Sequence, residues 1–368
     1  MVASSDNLIK EIEDRKKEYK TDSYSMSIGE LTNLYRDGEI VINPEFQRFF
    51  RWDIFQKTSL IESILLGIPI PPIFVYQTEE GNWELVDGLQ RVSTLLEFMG
   101  ILRKGEMDEL YEPSTLIATE QLQNLEDVTW DSLSQEVRLE IKRARITVEI
   151  IKKESDKDAK FEVFQRLNSN GSSLSPQEIR NSLLVMLNKD LYRWLKELSE
   201  SPNFQSCISI PERLEQEQYD MELVLRYMVL LHFEATSKEL NSINEFITQK
   251  IKIIAKNQLE DFSFQEEKER FEKTFRILKT IGKNIFRRYD IENDKFVGGF
   301  LESVYDPIAV GVAYNIDDYN TDEDKELLKE KIKNIWTEEV FLDNRRPGIP
   351  ARSRLPRQIP FAKDYFKK

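Results

Sequence analysis

The sequence predicts an α+β chain, a small mixed-sheet α/β domain followed by a mainly helical one. Three observations predict it. Trp83 to Val86 reads as a buried strand, and beyond Gly88 the apolar residues Leu89, Val92, Leu95, Leu96 and Met99 recur at helical spacing. Arg145 to Ile151 alternates and β-branches like a further strand. Beyond residue 185 the apolar pattern is helical almost throughout.

Residues 1–23 read as a charged helical arm, with the folded body starting near Tyr24. Ser27-Ile28-Gly29-Glu30-Leu31 is a helix entry, and Asp37-Gly38 turns the chain into a short strand, Glu39 to Ile42. Asp53 and Gln56 form a capping-box pattern for a helix that stops at Gly67. The strand Ile73 to Tyr76, a turn at Glu79-Glu80-Gly81-Asn82 and the strand from Trp83 complete an order of strand, helix, strand, strand, helix. From about Asp108 to Arg143 the pattern is helical and polar. A helix carrying Phe161, Phe164 and Leu167 breaks at Asn168-Ser169-Asn170-Gly171, and Ser175-Pro176-Gln177-Glu178 starts the next.

The domains read as 24–185 for the α/β part and 186–344 for the helical part, the latter with helices at 176–200, 213–235, 240–258, 264–290, an apolar one interrupted by Gly298-Gly299, and 322–340. Residues 345–368 carry eight Arg or Lys against one acid, Asp364, and with Pro347, Pro350, Pro356 and Pro360 the segment is expected not to form a regular helix at all. Two readings are open for this tail. It reaches a phosphate backbone or a nucleotide, or it is an extended strap over the protein's own acidic surface.

Composition excludes much chemistry. The 368 residues suffice for two domains, and the single cysteine, Cys207, permits no internal disulfide and no cysteine-rich zinc site. One histidine, His232, sits in an apolar stretch and reads as packed, so HNH nuclease sites, HExxH sites and histidine triads are out. A net charge of −14 excludes bulk electrostatic coating of nucleic acid, leaving only local contacts. With no membrane-length apolar run and no signal-peptide core, the expected location is cytoplasmic.

The strand-to-helix change at Asp87-Gly88 leaves a helix N-terminus whose N–H groups and dipole suit an anion such as phosphate. Gly88 admits a ligand closely, Asp87 sits at the mouth, Gln90 points away from the core and Arg91 flanks the first turn. The plainer reading is that Asp87 caps the helix, Gly88 makes the turn and Arg91 pairs with a carboxylate.

Three stretches together resemble a known family. Asn43-Pro44-Glu45-Phe46-Gln47-Arg48-Phe49-Phe50-Arg51-Trp52 resembles its signature (I/V)-x-P-x-(F/Y)-Q-R-x-(Y/F)-x-W, and Val86 to Thr94 resembles V-D-G-Q-Q-R-(L/V)-x-T. The third, Phe161 through Leu167-Asn168, Gly171, Leu174 and Glu178-Ile179, is similar to its last motif. The family is the N-terminal domain of GmrSD-type restriction endonucleases, related to ParB and sulfiredoxin, and the resemblance covers roughly residues 24–185. It implies a ParB/sulfiredoxin-like fold, nucleotide binding and hydrolysis, and work in prokaryotic defence. By motif, Asp87, Gly88, Gln90, Arg91 and Thr94 would hold nucleotide, with Mg²⁺ on Asp87; Gln47, Arg48 and Arg51 would close the pocket; Asn168 and Gly171 would line it. Leu89 replaces the first glutamine of the usual pair, and full-length relatives carry an HNH domain that one histidine cannot supply.

The leading expectation is thus a nucleoside-triphosphate switch, a Mg²⁺-dependent NTPase with Asp87, Gln90 and Arg91 at its catalytic centre, that leaves DNA cutting to a partner nuclease. A second is a DNA-sensing or DNA-nicking module using the basic tail and the aromatics Phe49, Phe50 and Trp52. A third is a catalytically silent adaptor for a nuclease.

Overall fold

The computed structural model describes residues 5–17, 19–43, 50–105, 109–155, 159–169, 175–342 and 349–368. The chain forms two compact units, Met1–Ser173 and Leu174–Lys368. The mixed α+β architecture agrees with the sequence expectation, with a five-stranded sheet in the first unit and helices dominating the second.

The first unit runs α1 (Ser5–Lys17), β1 (Thr21–Ser27), α2 (Ile28–Arg36), β2 (Ile40–Val41), α3 (Ile54–Leu65), β3 (Ile73–Gln77), β4 (Trp83–Asp87), α4 (Leu89–Phe98), α5 (Gln135–Arg143), β5 (Arg145–Ile151) and α6 (Ala159–Ser169). The sheet order is β1-β5-β3-β4-β2. The β1/β5 and β3/β4 pairs are antiparallel, and β5/β3 and β4/β2 are parallel.

Local chemistry explains the helix starts. Ser27 caps α2 by accepting from Glu30 N–H, and Asp53 with Gln56 closes the capping box of α3. Helix and strand faces then meet in one core, in which Ile73 and Val75 of β3 and Ile146 and Val148 of β5 pack with Leu31, Ile61, Val92 and Leu95 from α2, α3 and α4. Each such side chain, fully buried, contributes about 1.5–3 kcal/mol.

Two expectations fail in this unit. The strand β1 begins at Thr21, ahead of the anticipated start of the folded body; its only apolar residues are Tyr24 and Met26, too short an alternation to mark a strand alone, so its strand state comes from pairing with β5. Among the described residues of the stretch 108–143, only α5 and one short turn, Gln123–Leu125, are helical. The rest of it lacks a sustained apolar stripe, without which helix propensity alone does not hold a segment.

The second unit contains α7 (Pro176–Leu187), α8 (Lys189–Ser199), α9 (Tyr219–His232), α10 (Ile243–Ala255), α11 (Phe264–Ile281), a hairpin of β6 (Arg288–Asp290) and β7 (Lys295–Val297), α12 (Glu302–Tyr314), α13 (Asp322–Asn334) and α14 (Ala351–Tyr365). The helix expected over 264–290 therefore stops at Ile281, and Gly298-Gly299 follows the hairpin instead of interrupting a helix. Met221 to Leu231 of α9 is buried without a break, which makes α9 the central helix of the unit.

Within this apolar interior lies a chain of charges. Arg180 of α7 bonds Glu222 of α9; Arg226 of α9 bonds Asp306 of α12 through Nε at 2.8 Å and also through Nη2; and Arg354 of α14 stands 3.7 Å from Asp306. Glu302, a third exposed, adds a 3.0 Å contact to Arg226. Burial pushes Arg180 down to about 9, helped by neighbouring Arg226. Burial works the same way on Arg226, but Asp306 and Glu302 outweigh it and hold that guanidinium above its usual value.

The C-terminal segment also corrects the sequence reading, because 351–365 is a helix with Pro356 and Pro360 inside it. The two prolines are four residues apart, so the carbonyls they leave without N–H partners, on Arg352 and Pro356, share a face that is exposed or half-buried and open to water. The opposite face, Leu355, Ile359 and Ala362, is buried and supplies the packing that holds the helix. Its last carbonyls are also held, Lys363 O by Asn315 Nδ2 at 2.7 Å and Tyr365 O by Lys331 Nζ at 3.0 Å.

Gly311 of α12 allows α14 to approach, since a Cβ there would lie 2.6 Å from Phe366 Cδ2 and 2.7 Å from Ala362 O. Gly311→Val is expected to cost about 3 kcal/mol by overpacking. A thermal melt would read this as a fall of roughly 6–12 °C, given the size of the unit. An unchanged melt would mean that α12 and α14 are not in this contact.

Among the described residues no helix is long and apolar enough to cross a membrane.

Candidate functional site at the turn between β4 and α4

The strand β4 ends at Asp87, and Gly88 turns the chain into α4 with φ 96 and ψ 14, a left-handed conformation that favours glycine. The space requires glycine as well, because a Cβ would sit 2.5 Å from Ile73 Cγ2. No side chain caps the first turn of α4, so Asp87 is not the cap that the plainer sequence reading anticipated.

Arg91 follows that plainer reading. Its Nη2 donates to Asp87 Oδ2 and to Pro72 O, both at 3.0 Å, and its Nε is buried without a hydrogen-bond partner among the described residues. The pair touches through one nitrogen and one oxygen, with side chains 18% and 28% exposed. Such a part-exposed, single-contact pair is worth about 1 kcal/mol or less, so a better anion could take the arginine.

Gln90 ties the first motif to the second. Its Oε1 accepts from the backbone N–H of Arg51 at 3.1 Å and of Trp52 at 3.2 Å, which draws the end of the first-motif loop onto the start of α4. The Arg51 side chain is exposed. Gln47 and Arg48 lie outside the described residues, as does Gly171. Asn168 stands in the last turn of α6, a helix that packs against β4. Thr94 is sealed in the core, and its hydroxyl, like that of Ser93, finds no partner among the described residues.

The sequence reading missed a part-buried ion pair further along α4. Lys57 of α3 meets Glu97 of α4 at 2.7 Å, and its ammonium stands 4.6 Å from the centre of the Phe50 ring. The available signal was Glu97 itself, an acid inside the run Leu95-Leu96-Glu97-Phe98. Phe50 also meets Tyr111 edge-on, and Trp52 is half-buried against the core. These two aromatics are therefore engaged in packing.

Asp87 belongs to no group of three or more His, Cys, Asp or Glu able to hold a metal among the described residues. One carboxylate does suit Mg²⁺ in a phosphate site, where phosphate oxygens and water complete the shell. A cleft of about 270 Å³ lined by Leu34, Glu39, Gln77, Gly81 and Trp83 opens at the other end of β4 and shares no residue with the turn.

Elsewhere the candidates are occupied. His232 Nε2 stands 3.1 Å from Glu267 Oε2 and its ring packs on Phe262, and Cys207 is buried. Burial pushes its thiol up to about 12. In the basic C-terminal segment Arg354 is buried, Lys363 donates to Leu231 O and Lys368 pairs with Asp324 at 2.6 Å. Arg352, Arg357 and Lys367 are exposed, and Arg345 and Arg346 lie outside the described residues.

Comparison with known proteins agrees with the motif reading. No curated protein matches the chain. Residues 28–185 match the family model described as GmrSD restriction endonuclease, N-terminal domain, and span all but the start of the three motifs' anticipated range of 24–185. The first motif, the Asp87-Gly88 turn that Gln90 ties to its end, and the start of the helix that begins after Ser175 all fall inside the match, so residues 28–185 are similar to the GmrSD N-terminal domain.

Proposed function

We propose that the turn between β4 and α4 binds the phosphates of a nucleoside triphosphate and promotes its hydrolysis, as the switch component of a restriction-type defence system whose DNA cutting falls to a partner nuclease. The observation that carries the reading is Arg91, a part-buried arginine on an uncapped helix start, with Nε unpartnered among the described residues and Nη2 in a weak ion pair. A phosphate competes well for such a group, because helix-end N–H groups and the guanidinium then act on the same charge. Gly88 keeps the approach clear of a Cβ.

Gln90 holds the Arg51 and Trp52 amides at the end of the first motif, and in this reading Arg48 and Arg51 of that motif would close over the phosphates. Asp87 is the residue that would hold Mg²⁺, and the ion, when bound, would neutralise charge developing on the phosphate oxygens. The motif resemblance assigns Asn168 and Gly171 to the pocket lining, and Thr94 supports the helix from within.

Calorimetric titration with the four ribonucleoside triphosphates and Mg²⁺, with phosphate release followed on the same samples, tests the proposal. Arg91→Ala is expected to weaken binding by about 10–100-fold, the value of one charge-assisted contact of about 1.5–3 kcal/mol. Wild-type affinity in that variant, or no binding to any triphosphate by the wild-type chain, removes the assignment.

A further inference from the structure

The five-stranded sheet has two edges of unlike character. At one, β2 spans only Ile40–Val41, a length too short to recruit another strand. At the other, β1 is regular over Thr21–Ser27 and, among the described residues, pairs on one side only, with β5, without a bulge. Edge strands are normally protected by lysine, proline, a bulge or a covering element. The sequence Thr-Asp-Ser-Tyr-Ser-Met-Ser contains neither lysine nor proline, its one charge, Asp22, is paired with Lys152, and Thr21 to Ser25 are exposed.

Backbone direction identifies the groups on the open side. Lys152 N–H donates to Lys20 O and Ile28 N–H donates to Ala144 O, so the even-numbered residues of β1 turn their backbone groups toward β5. The odd-numbered ones, Thr21, Ser23, Ser25 and Ser27, turn theirs outward. Of these, Ser23 N–H is taken by Asp22 Oδ1 and Ser27 is the cap of α2.

We propose that β1 is a self-association edge, through which two copies of this chain pair antiparallel and continue the sheet across a two-fold axis at Tyr24. Full overlap of the two strands sets one register, Thr21 opposite Ser27, Asp22 opposite Met26, Ser23 opposite Ser25 and Tyr24 opposite itself. In that register the outward-turned residues face one another at hydrogen-bonding positions, the Ser23 N–H exchanging Asp22 Oδ1 for the carbonyl of Ser25 in the other copy, and Tyr24 falls at a close non-hydrogen-bonded position. The charges fit too. Asp22, already paired with Lys152 at 3.0 Å, faces a methionine, and the register that would oppose Asp22 to its own copy keeps only the first residues of the strand in contact.

A strand junction alone buries too little area for a stable dimer. The helix α1, joined to β1 through Tyr19 and Lys20, offers the remainder, because Leu8, Ile9 and Ile12 are 53%, 54% and 43% exposed beside this edge in sequence. A second copy is thus favoured over an unrelated peptide, which would need only the strand.

Light scattering, a proline substitution and cysteine cross-linking on the full chain test the proposal together. Wild type is expected at the mass of a dimer in the micromolar range. Ser25→Pro removes an outward N–H and no bond to β5, so circular dichroism should be unchanged while self-association weakens by roughly tenfold or more. Tyr24→Cys should form a disulfide-linked dimer on mild oxidation, since opposed Cβ atoms in such a pair stand about 4.5–5.5 Å apart. Asp22→Cys should not, because its copy would lie about 13 Å away along the strand. Buried Cys207 does not compete in either case. A wild-type chain that is monomeric across the micromolar range overturns the proposal. So does a dimer that ignores Ser25→Pro or fails to cross-link through Tyr24→Cys.

Discussion

Asp306→Ala is expected to destabilise the helical unit by about 3–5 kcal/mol, the usual penalty for removing one partner of a buried ion pair. Asp306 is fully buried and serves two arginines, Arg226 through both carboxylate oxygens and Arg354 at 3.7 Å. Without it Arg226 keeps Glu302 at 3.0 Å and Glu222 at 3.7 Å, and Arg354 keeps the Ser303 carbonyl at 3.2 Å and Gln358 at 3.4 Å. Two guanidiniums would then share too little negative charge in a site that water does not reach. A domain is stable by about 5–15 kcal/mol, so the loss is a large fraction of the whole.

The paired replacement Arg226→Met with Asp306→Leu separates the cost of an orphaned charge from the worth of the pair. Denaturant unfolding should find the double variant more stable than Asp306→Ala, because both charges leave together. If Asp306→Ala loses less than about 1 kcal/mol, the value of a surface pair, the network is not buried as described.

Gly88→Ala is expected to cost about 3 kcal/mol in the first unit and to abolish the proposed triphosphate binding with it. Two separate effects add. A side chain at φ 96 is strained by about 1–2 kcal/mol, and a Cβ 2.5 Å from Ile73 Cγ2 forces β3 or the start of α4 to move, at about 1–3 kcal/mol more. The movement would displace Asp87 and Arg91 together. Gly38→Ala is the matched control, since Gly38 has φ 78 with nothing within 4 Å of the added carbon. It should show only the backbone part, and equal losses in the two variants would mean that Ile73 does not press on the turn.

How much of this could be read in advance followed from whether a feature was local. The capping boxes at Asp53 and Ser175, the turn at Gly88 and the paired strands β3 and β4 rest on neighbours a few residues apart, and all are present. The strand β1, whose partner is more than a hundred residues away, and the helix α14, whose prolines are outweighed by packing on α12, depend on contacts that a linear pattern does not display. At the candidate site the same division holds. The pairing of Arg91 with Asp87 is an i,i+4 matter and was foreseeable as the plainer reading. The bond from Gln90 to the Arg51 and Trp52 amides, and Lys57 meeting Glu97 beneath Phe50, join segments about 40 residues apart and left only a trace in the sequence.

The family match ends at residue 185, inside α7, yet α7 belongs to the second unit and buries Arg180 against Glu222 there. The length that evolution recognises and the length that folds therefore do not coincide. A chimera joining residues 1–185 to another protein's C-terminal half would inherit a buried guanidinium with no acid to meet it, unless the new half brings a carboxylate to the same place. Exchange of modules in this architecture is thus constrained by one ion pair at the seam.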